Sequence, residues 1–402
     1  MKRILLLITC CMAQFGYTQV KLSPQAEISI VTIGPYQNEI YSAFGHSGIR
    51  VYDPAISMDV FFNYGVFDFE KPNFLLNFTM GLLEYRLDKA RYPRMVNFYA
   101  SQNRYIHEQV LNLTTGQLQR LYEFLAWNAQ PENMYYNYDY FYDNCATRLR
   151  LAMEKVFADS VTFDGSYITT DYSIRDLTDL YLGYQPWGDL GIDICLGLPM
   201  DIKATPYMYM FLPDYIESAF NHATLLGNGG EVPLIKETIV RYEPKPAVTP
   251  VTFFSPLVVF SLILVGGLLI TFFGYKSGRS FFGFDIFLFT LIGISGWLLL
   301  LLWTVTDHKA AANNLNLLWA FPLHFPAALM LLSKKWTNLK IKYFRFFALW
   351  QGFVLIAWFL VPQDLHEALI PLSLLVLVRS FYIQYYLAKS MQGKKLFTGT
   401  NK

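Results

Sequence analysis

The chain is short of cysteine, histidine and charge. Four cysteines and six histidines occur in 402 residues, and 16% of the residues are charged, with a formal net charge of +1. A balance so close to neutral offers no basic surface to a phosphate backbone, so nucleic-acid binding is not expected. Between Gln19 and Tyr242 no apolar run reaches the ~18 residues a helix needs to cross a bilayer, so this stretch reads as one globular domain. No internal repeat or low-complexity tract stands out. The glycine-rich Leu226-Gly227-Asn228-Gly229-Gly230 is too irregular for a phosphate-binding loop.

Apolar residues, by contrast, are plentiful. At 53% hydrophobic the chain is too apolar for an ordinary soluble enzyme and should be partly embedded in a membrane. Residues 1–18 carry Lys2 and Arg3, an apolar core from Ile4 to Ala13 and a polar exit, the pattern of a secretory signal peptide. Cys10 and Cys11 fall within it. Removal of this segment leaves Cys145 and Cys195, which could form one disulfide in an oxidising periplasm. The expected organisation is a signal peptide (1–18), a periplasmic domain (19–245), a five-span transmembrane region (246–388) and a cytoplasmic tail (389–402). The five apolar segments are Val251–Phe273, Phe281–Trp303, Leu315–Ser333, Phe346–Val361 and Ala368–Tyr386. If the domain is exported, segments 274–280 and 334–345 and the tail after 386 are cytoplasmic. They hold the basic residues, from Lys276 and Arg279 to Lys402, whereas the short outer loops hold only Lys309. The positive-inside rule therefore agrees with a periplasmic domain. His324 and Arg379 are polar residues inside spans and functional hints by that position.

The globular part reads as an α+β mixture. Strands are expected at Glu27–Ile33, Ile49–Tyr52 and Asp59–Phe67, with extended segments at Glu84–Asp88 and Tyr105–Leu113. Helices are expected at Asn73–Met80, Pro93–Ala100, Gly116–Asn128 and Cys145–Phe157, with weaker signals at Asp171–Leu182 and Pro206–Ala219.

The chemistry centres on Tyr142-Asp143-Asn144-Cys145-Ala146-Thr147-Arg148. Asp143 and Asn144 are both good N-caps, so Cys145 opens a helix. There the macrodipole, unpaired N–H groups and the Arg148 charge favour thiolate. The alternative is a buried cysteine acting as a small hydrophobe on the apolar stripe of its own helix. About 100 residues earlier, Gly45 and Gly48 bracket His46 at a loop-to-strand junction. A Cys–His pair needs only that the imidazole reach the sulfur in space. Tyr135, Tyr136, Tyr138, Tyr140, Phe141 and Tyr142 crowd the approach to Cys145, either as an acyl-chain groove or as an aromatic core. In the outer loop, Asp307, His308, Lys309, Asn313, Asn314 and Asn316 lie on the same side as Cys145. They read either as lipid-headgroup ligands or as solvated loop residues with a satisfied amide.

Gly45-His46-Ser47 with Arg50-Val51-Tyr52-Asp53-Pro54, then Asn63-Tyr64-Gly65-Val66-Phe67-Asp68-Phe69, then the Cys145 heptapeptide together resemble the Lnb N-terminal periplasmic domain of Bacteroidetes. Asp307-His308 and the run Asn314-Leu315-Asn316-Leu317-Leu318-Trp319-Ala320-Phe321-Pro322 resemble the membrane half of that family. The resemblance implies a permuted papain-like (NlpC-like) domain, akin to the lecithin:retinol acyltransferase group, in the bacterial inner membrane. It implies N-acylation of lipoproteins, with Cys145 as nucleophile and His46 as base. The acyl chain would pass from a phospholipid donor through a Cys thioester to the amine of a diacylated lipoprotein acceptor, without metal or organic cofactor. In such folds the residue that orients the base comes from the strand after the histidine, which offers Asp59 and Asn63, with Asp53 as another choice. Asn63 is chosen. Asn144 and Arg148 are assigned to the oxyanion and to orientation, and His308 and Arg50 to headgroup binding. The rivals are a papain-like cell-wall or peptide hydrolase anchored in the membrane and a non-enzymatic membrane-anchored binding protein.

Overall fold

A computed structural model describes residues 20–227, 229–246 and 252–398. The signal-peptide reading lies outside these residues. In chain order the elements are β1 (Glu27–Ile33), β2 (His46–Asp53), β3 (Met58–Val66), α1 (Phe74–Met80), β4 (Glu84–Arg91), α2 (Tyr92–Ser101), β5 (Ile106–Leu111), α3 (Thr115–Asn128), β6 (Tyr135–Asn137) and α4 (Cys145–Phe157). There follow β7 (Val161–Thr162), α5 (Ile174–Leu182), α6 (Pro186–Cys195), α7 (Pro206–Tyr209), α8 (Pro213–His222), β8 (Thr224–Gly227), β9 (Gly230–Pro233) and β10 (Ile235–Tyr242). The membrane half contains α9 (Pro256–Ser277), α10 (Phe282–Thr304), α11 (His324–Met330), α12 (Thr337–Ala357) and α13 (Ile370–Thr398).

β1 begins and ends where the run Glu-Ile-Ser-Ile-Val-Thr-Ile does, and all but its first residue are buried. A strand buried on both faces reads as a continuous apolar run, and β1 lies in the interior of a seven-stranded antiparallel sheet, order β10-β5-β1-β2-β3-β4-β6. Ile28, Ile30, Ile49, Val51 and Phe62 face one way, onto Leu121 and Leu125 of α3, Leu149 and Met153 of α4, and Ile216 and Phe220 of α8. Val31, Ile33 and Phe61 face the other way, onto Tyr92 and Met95 of α2. A small second sheet, β7-β8-β9, closes one side.

Three local expectations change. The helix expected at Pro206–Ala219 is two helices, because Pro213 lacks an N–H and forces Leu212 into an extended conformation (ψ 136°). β10, which lacks clean alternation in the sequence, completes the large sheet by pairing with β5. α6 was not foreseen: Leu190 on it packs into the core of the membrane half.

Among the described residues three helices are long and apolar enough to cross a bilayer: Pro256–Ser277, Phe282–Thr304 and, from its preceding turn, Glu367–Gln392. The third apolar segment is not one helix. Pro322 separates a 3₁₀ turn (Leu315–Leu318) from the short α11, and both press on α10 where Gly293 and Gly296 admit them. A Cβ at Gly296 would stand 1.9 Å from Ala320 O, and one at Gly293 would stand 2.1 Å from Phe325 N. The fourth segment starts earlier than the apolar pattern suggests, because α12 takes Lys340, Lys342 and Arg345 into its first turns. The two intramembrane polar residues have partners. Arg379 makes a bidentate pair with Asp285 (2.7 and 2.9 Å) and bonds Thr271 Oγ1, and His324 Nδ1 meets Tyr343 OH at 2.9 Å.

The halves are joined by hydrogen bonds as well as by apolar packing. Asn314 Nδ2 donates to Ile194 O (2.7 Å), Gln363 Nε2 to Leu196 O (2.9 Å) and Gly197 N to Ala310 O (2.7 Å). The Ile194 and Leu196 carbonyls belong to the last turn of α6 and the residue beyond it, where a helix leaves acceptors unpaired, whereas the Ala310 carbonyl belongs to the outer loop. Asn314 and Asn316 are buried and thus dock the periplasmic domain, instead of being free for a lipid headgroup.

Candidate active site

The approach to α4 is a closed turn. Asp139 and Asp143 exchange backbone hydrogen bonds (3.0 and 2.9 Å), and Asp139 Oδ1 accepts from Phe141 N and Tyr142 N. Asn144 is the N-cap, and its amide has four partners. Oδ1 accepts from Ala146 N (2.9 Å) and Thr147 N (3.0 Å), and Nδ2 donates to Tyr140 O and Phe211 O, both at 2.7 Å. Phe211 O is available because the chain breaks before Pro213. Thr147 Oγ1 completes the capping box by accepting from Asn144 N at 2.8 Å. This buried amide positions the turn and has no capacity left for an oxyanion, which leaves backbone N–H groups for that role.

Cys145 is the first residue of α4 and is 9% exposed. Burial pushes its thiol above the ordinary value. The N–H groups of Ser47, Ala146 and Cys145 itself, then the Arg104 charge, oppose that shift without cancelling it. Burial therefore works against the thiolate expected from the helix terminus and Arg148. Arg148 is engaged by a bidentate pair with Asp143 (2.5 Å for each bond) and lies 3.9 Å over the Tyr136 ring. Cys145 and Cys195 are both free, so the disulfide alternative does not arise.

His46 opens β2, next to the Ser47 N–H that faces the sulfur. Its Nε2 meets Asn63 Oδ1 at 2.6 Å, so Asn63, not Asp59 or Asp53, contacts the ring. A bulge lies just beyond Asn63: the β3–β4 register shifts between Asn63 and Val66, with Gly65 at φ +87°. A side chain at Gly65 would be strained at that φ, and its Cβ would stand 3.6 Å from Cys145 Cβ. Asp59 pairs with Arg50, and Asp53 accepts from Ser23. With Asn63 Oδ1 accepting, Nε2 carries the proton and Nδ1 is the basic nitrogen. Burial, then the Arg104 charge, holds His46 down at about 4 against the Asn63 hydrogen bond.

A buried thiol pushed above its ordinary value has a kinetic signature. The alkylation rate of Cys145 by iodoacetamide is expected to climb with pH through the alkaline range. A plateau between about pH 5 and 8 would instead reveal a thiolate–imidazolium pair.

The assigned headgroup ligands lie elsewhere. Arg50 is occupied by Asp59 and Glu108 (2.8 and 3.0 Å) and sandwiched by Tyr52 and Tyr92. His308 Nε2 meets Phe78 O at 3.1 Å and ties the outer loop to α1. Sequence reasoning missed Arg104 and Tyr99, which stand beside His46, because a lone arginine in a turn carries no spacing signal.

Residues 17–178 match the family model described as the Lnb N-terminal periplasmic domain, and residues 249–391 match the one described as the Lnb transmembrane domain. No curated protein and no solved structure matches the chain. With both matched stretches in this order, a mixed α+β domain followed by membrane-spanning helices, the chain belongs to the Lnb family of membrane proteins with a periplasmic domain.

Proposed function

We propose that this protein is a lipoprotein N-acyltransferase of the bacterial inner membrane. In this reading the periplasmic domain is permuted papain-like, Cys145 is the nucleophile, His46 the base and Asn63 its orienting partner. The broken third segment and α12 complete five passes.

The observation that supports lipid chemistry is an aromatic run from the membrane half to the thiol. The outer end of α10 is tied to α1, where Asp307 N donates to Met80 O at 2.9 Å. From there ring centroids follow at 6.2 Å (Phe78–Phe74), 6.0 Å (Phe74–Phe67), 5.0 Å (Phe67–Tyr85) and 4.3 Å (Tyr85–Tyr138). Tyr138 and Cys145 both flank Gly65. On the same helix α1 that the loop after α10 contacts, Leu75 and Leu76 are 77% and 60% exposed. Leaving an acyl chain in water costs roughly 0.8 kcal/mol per CH₂, so an apolar path from bilayer to sulfur is what an acyl donor needs.

The steps follow from proton positions. His46 Nδ1 takes the thiol proton as sulfur attacks the ester carbonyl of the phospholipid. The oxyanion is held by the N–H of Cys145. Collapse forms the thioester, and His46 returns the proton to the departing lysophospholipid hydroxyl. The amine of the diacylglyceryl-Cys acceptor then attacks the thioester. The amide forms, the amine proton passes to His46, and the released thiolate takes it back. No metal or organic cofactor is called for.

The test is mass spectrometry of Cys145 after incubation with a phospholipid carrying a labelled acyl chain. A hydroxylamine-labile acyl group on Cys145, transferable to a diacylated lipopeptide, is the expected result. Cleavage of peptidoglycan peptides with no acyl-enzyme would install the hydrolase instead. Leu75→Asp with Leu76→Asp is expected to slow acylation from vesicles at least ~10-fold, since each leucine forfeits roughly 1.5–3 kcal/mol of burial. Alkylation of Cys145 by a soluble reagent should not change.

A further inference from the structure

Four arginines are buried among the described residues, and three have carboxylate partners: Arg150 with Glu154, Arg175 with Asp193 and Asp201, and Arg379 with Asp285. Arg104, 4% exposed, is paired with no carboxylate among the described residues. Its Nε donates to Gly34 O at 2.6 Å and its Nη1 to Gln102 Oε1 at 3.3 Å, but Nη2 is buried without a partner. The anchor is stiff, since Gly34 lies so close to Tyr105 that an added Cβ would fall 2.5 Å from the ring. The guanidinium lies 4.7 Å over the Tyr99 ring, and that ring is 6.1 Å from the His46 ring. Its charge acts on both Cys145 and His46.

Burying a cation without a counter-charge is expensive, and a donor with no acceptor adds to the penalty. Arg104 has neither a carboxylate partner nor an acceptor for Nη2 among the described residues, so this corner of the site holds a cation with no counter-charge bonded to it. A guanidinium edge with a free N–H suits a phosphate oxygen. The phospholipid donor supplies a phosphodiester on the same glycerol as its acyl ester.

We propose that Arg104 Nη2 receives the phosphodiester of the phospholipid donor and so sets the neighbouring ester beside Cys145. This rests on the acyl-donor reading above, and it makes Arg104 a specificity residue for phospholipid over neutral diglyceride.

The test uses full-length protein in detergent micelles and non-cleavable dialkyl-ether lipids. Ether phosphatidylglycerol should shield Cys145 from iodoacetamide in the native protein, and ether diglyceride should shield it poorly. Arg104→Gln should raise the half-protecting concentration of the phospholipid ~10-fold or more, the usual scale for one hydrogen bond to a charged group. Diglyceride protection should stay the same, and Arg104→Lys, which keeps the charge and loses the fork, should fall between. Equal protection by both lipids in native protein would overturn the proposal. So would an Arg104→Gln variant whose unprotected alkylation rate falls by the same factor as its lipid protection, since that would make Arg104 a thiol-activating group. Protection that depends on phosphate and Arg104, together with no acyl-enzyme from ester lipids, would sink the acyltransferase reading and leave the phosphate site standing.

Discussion

Cys145→Ser is expected to abolish lipoprotein N-acylation, with a loss on the order of 10³-fold or more, while the protein still folds and inserts. A serine hydroxyl is a far weaker nucleophile than a thiol, so the covalent intermediate should no longer form at useful rates. The fold should survive because the α4 terminus is held by Asn144 and Thr147, not by sulfur. Only a residual hydrogen-bonding difference separates the two side chains. Mass spectrometry of lipoprotein N-termini from cells carrying each variant reads the outcome directly. Cys195→Ser is the matched control, since Cys195 is free and exposed and its contact to Asn314 is through the backbone. Full N-acylation by Cys145→Ser would remove Cys145 from the mechanism.

Arg175→Met should loosen the periplasmic domain from the membrane half. Arg175 binds Asp201 through Nε and Nη2 (2.8 and 3.0 Å), Asp193 Oδ1 through Nη1 (2.8 Å) and Leu196 O through Nη2 (3.1 Å). Burial already pushes the Asp193 carboxyl up to about 6 against the pull of Arg175. Removing the cation strands two carboxylates, a change that typically costs ~3–5 kcal/mol. The same residues carry the joint: Asp201 Oδ1 accepts from Asp364 N at 2.8 Å, and Leu196 O accepts from Gln363. The expected result is a fall on the order of 10 °C in the thermal midpoint of the detergent-solubilised protein. Acylation from vesicles should fall with it, while alkylation of Cys145 by a soluble thiol reagent persists. An unchanged midpoint would show that this network does not hold the halves together.

Much of the site was legible because it depends on neighbours along the chain. An asparagine before a periodic apolar run caps a helix whatever else the chain does, and α4 starts at Cys145 as Asn144 implies. β1 runs over the β-branched, largely apolar stretch that suggests it. Asn63 was chosen as the histidine's partner on the family resemblance, ahead of Asp59 and Asp53, and it is the residue whose side chain meets the His46 ring. Other parts resisted for the converse reason. Nothing near Arg148 in the sequence says that Asp143 takes both of its nitrogens, and the amides of Asn314 and Asn316 look like loop residues until α6 is set beside them.

The sequence by itself determined the division into a globular domain and a membrane half and the helix that begins at the thiol, whereas the histidine–asparagine pair came from the family resemblance. Capping, apolar periodicity and hydropathy are local properties and survive any arrangement of the rest. Only the tertiary structure decided the electrostatic surroundings of the site. Burial raised the Cys145 thiol and lowered His46, and folding left Arg104 without a counter-ion beside both. Desolvation and Coulomb interactions depend on which distant segments close over a group, and residue order alone does not carry that information.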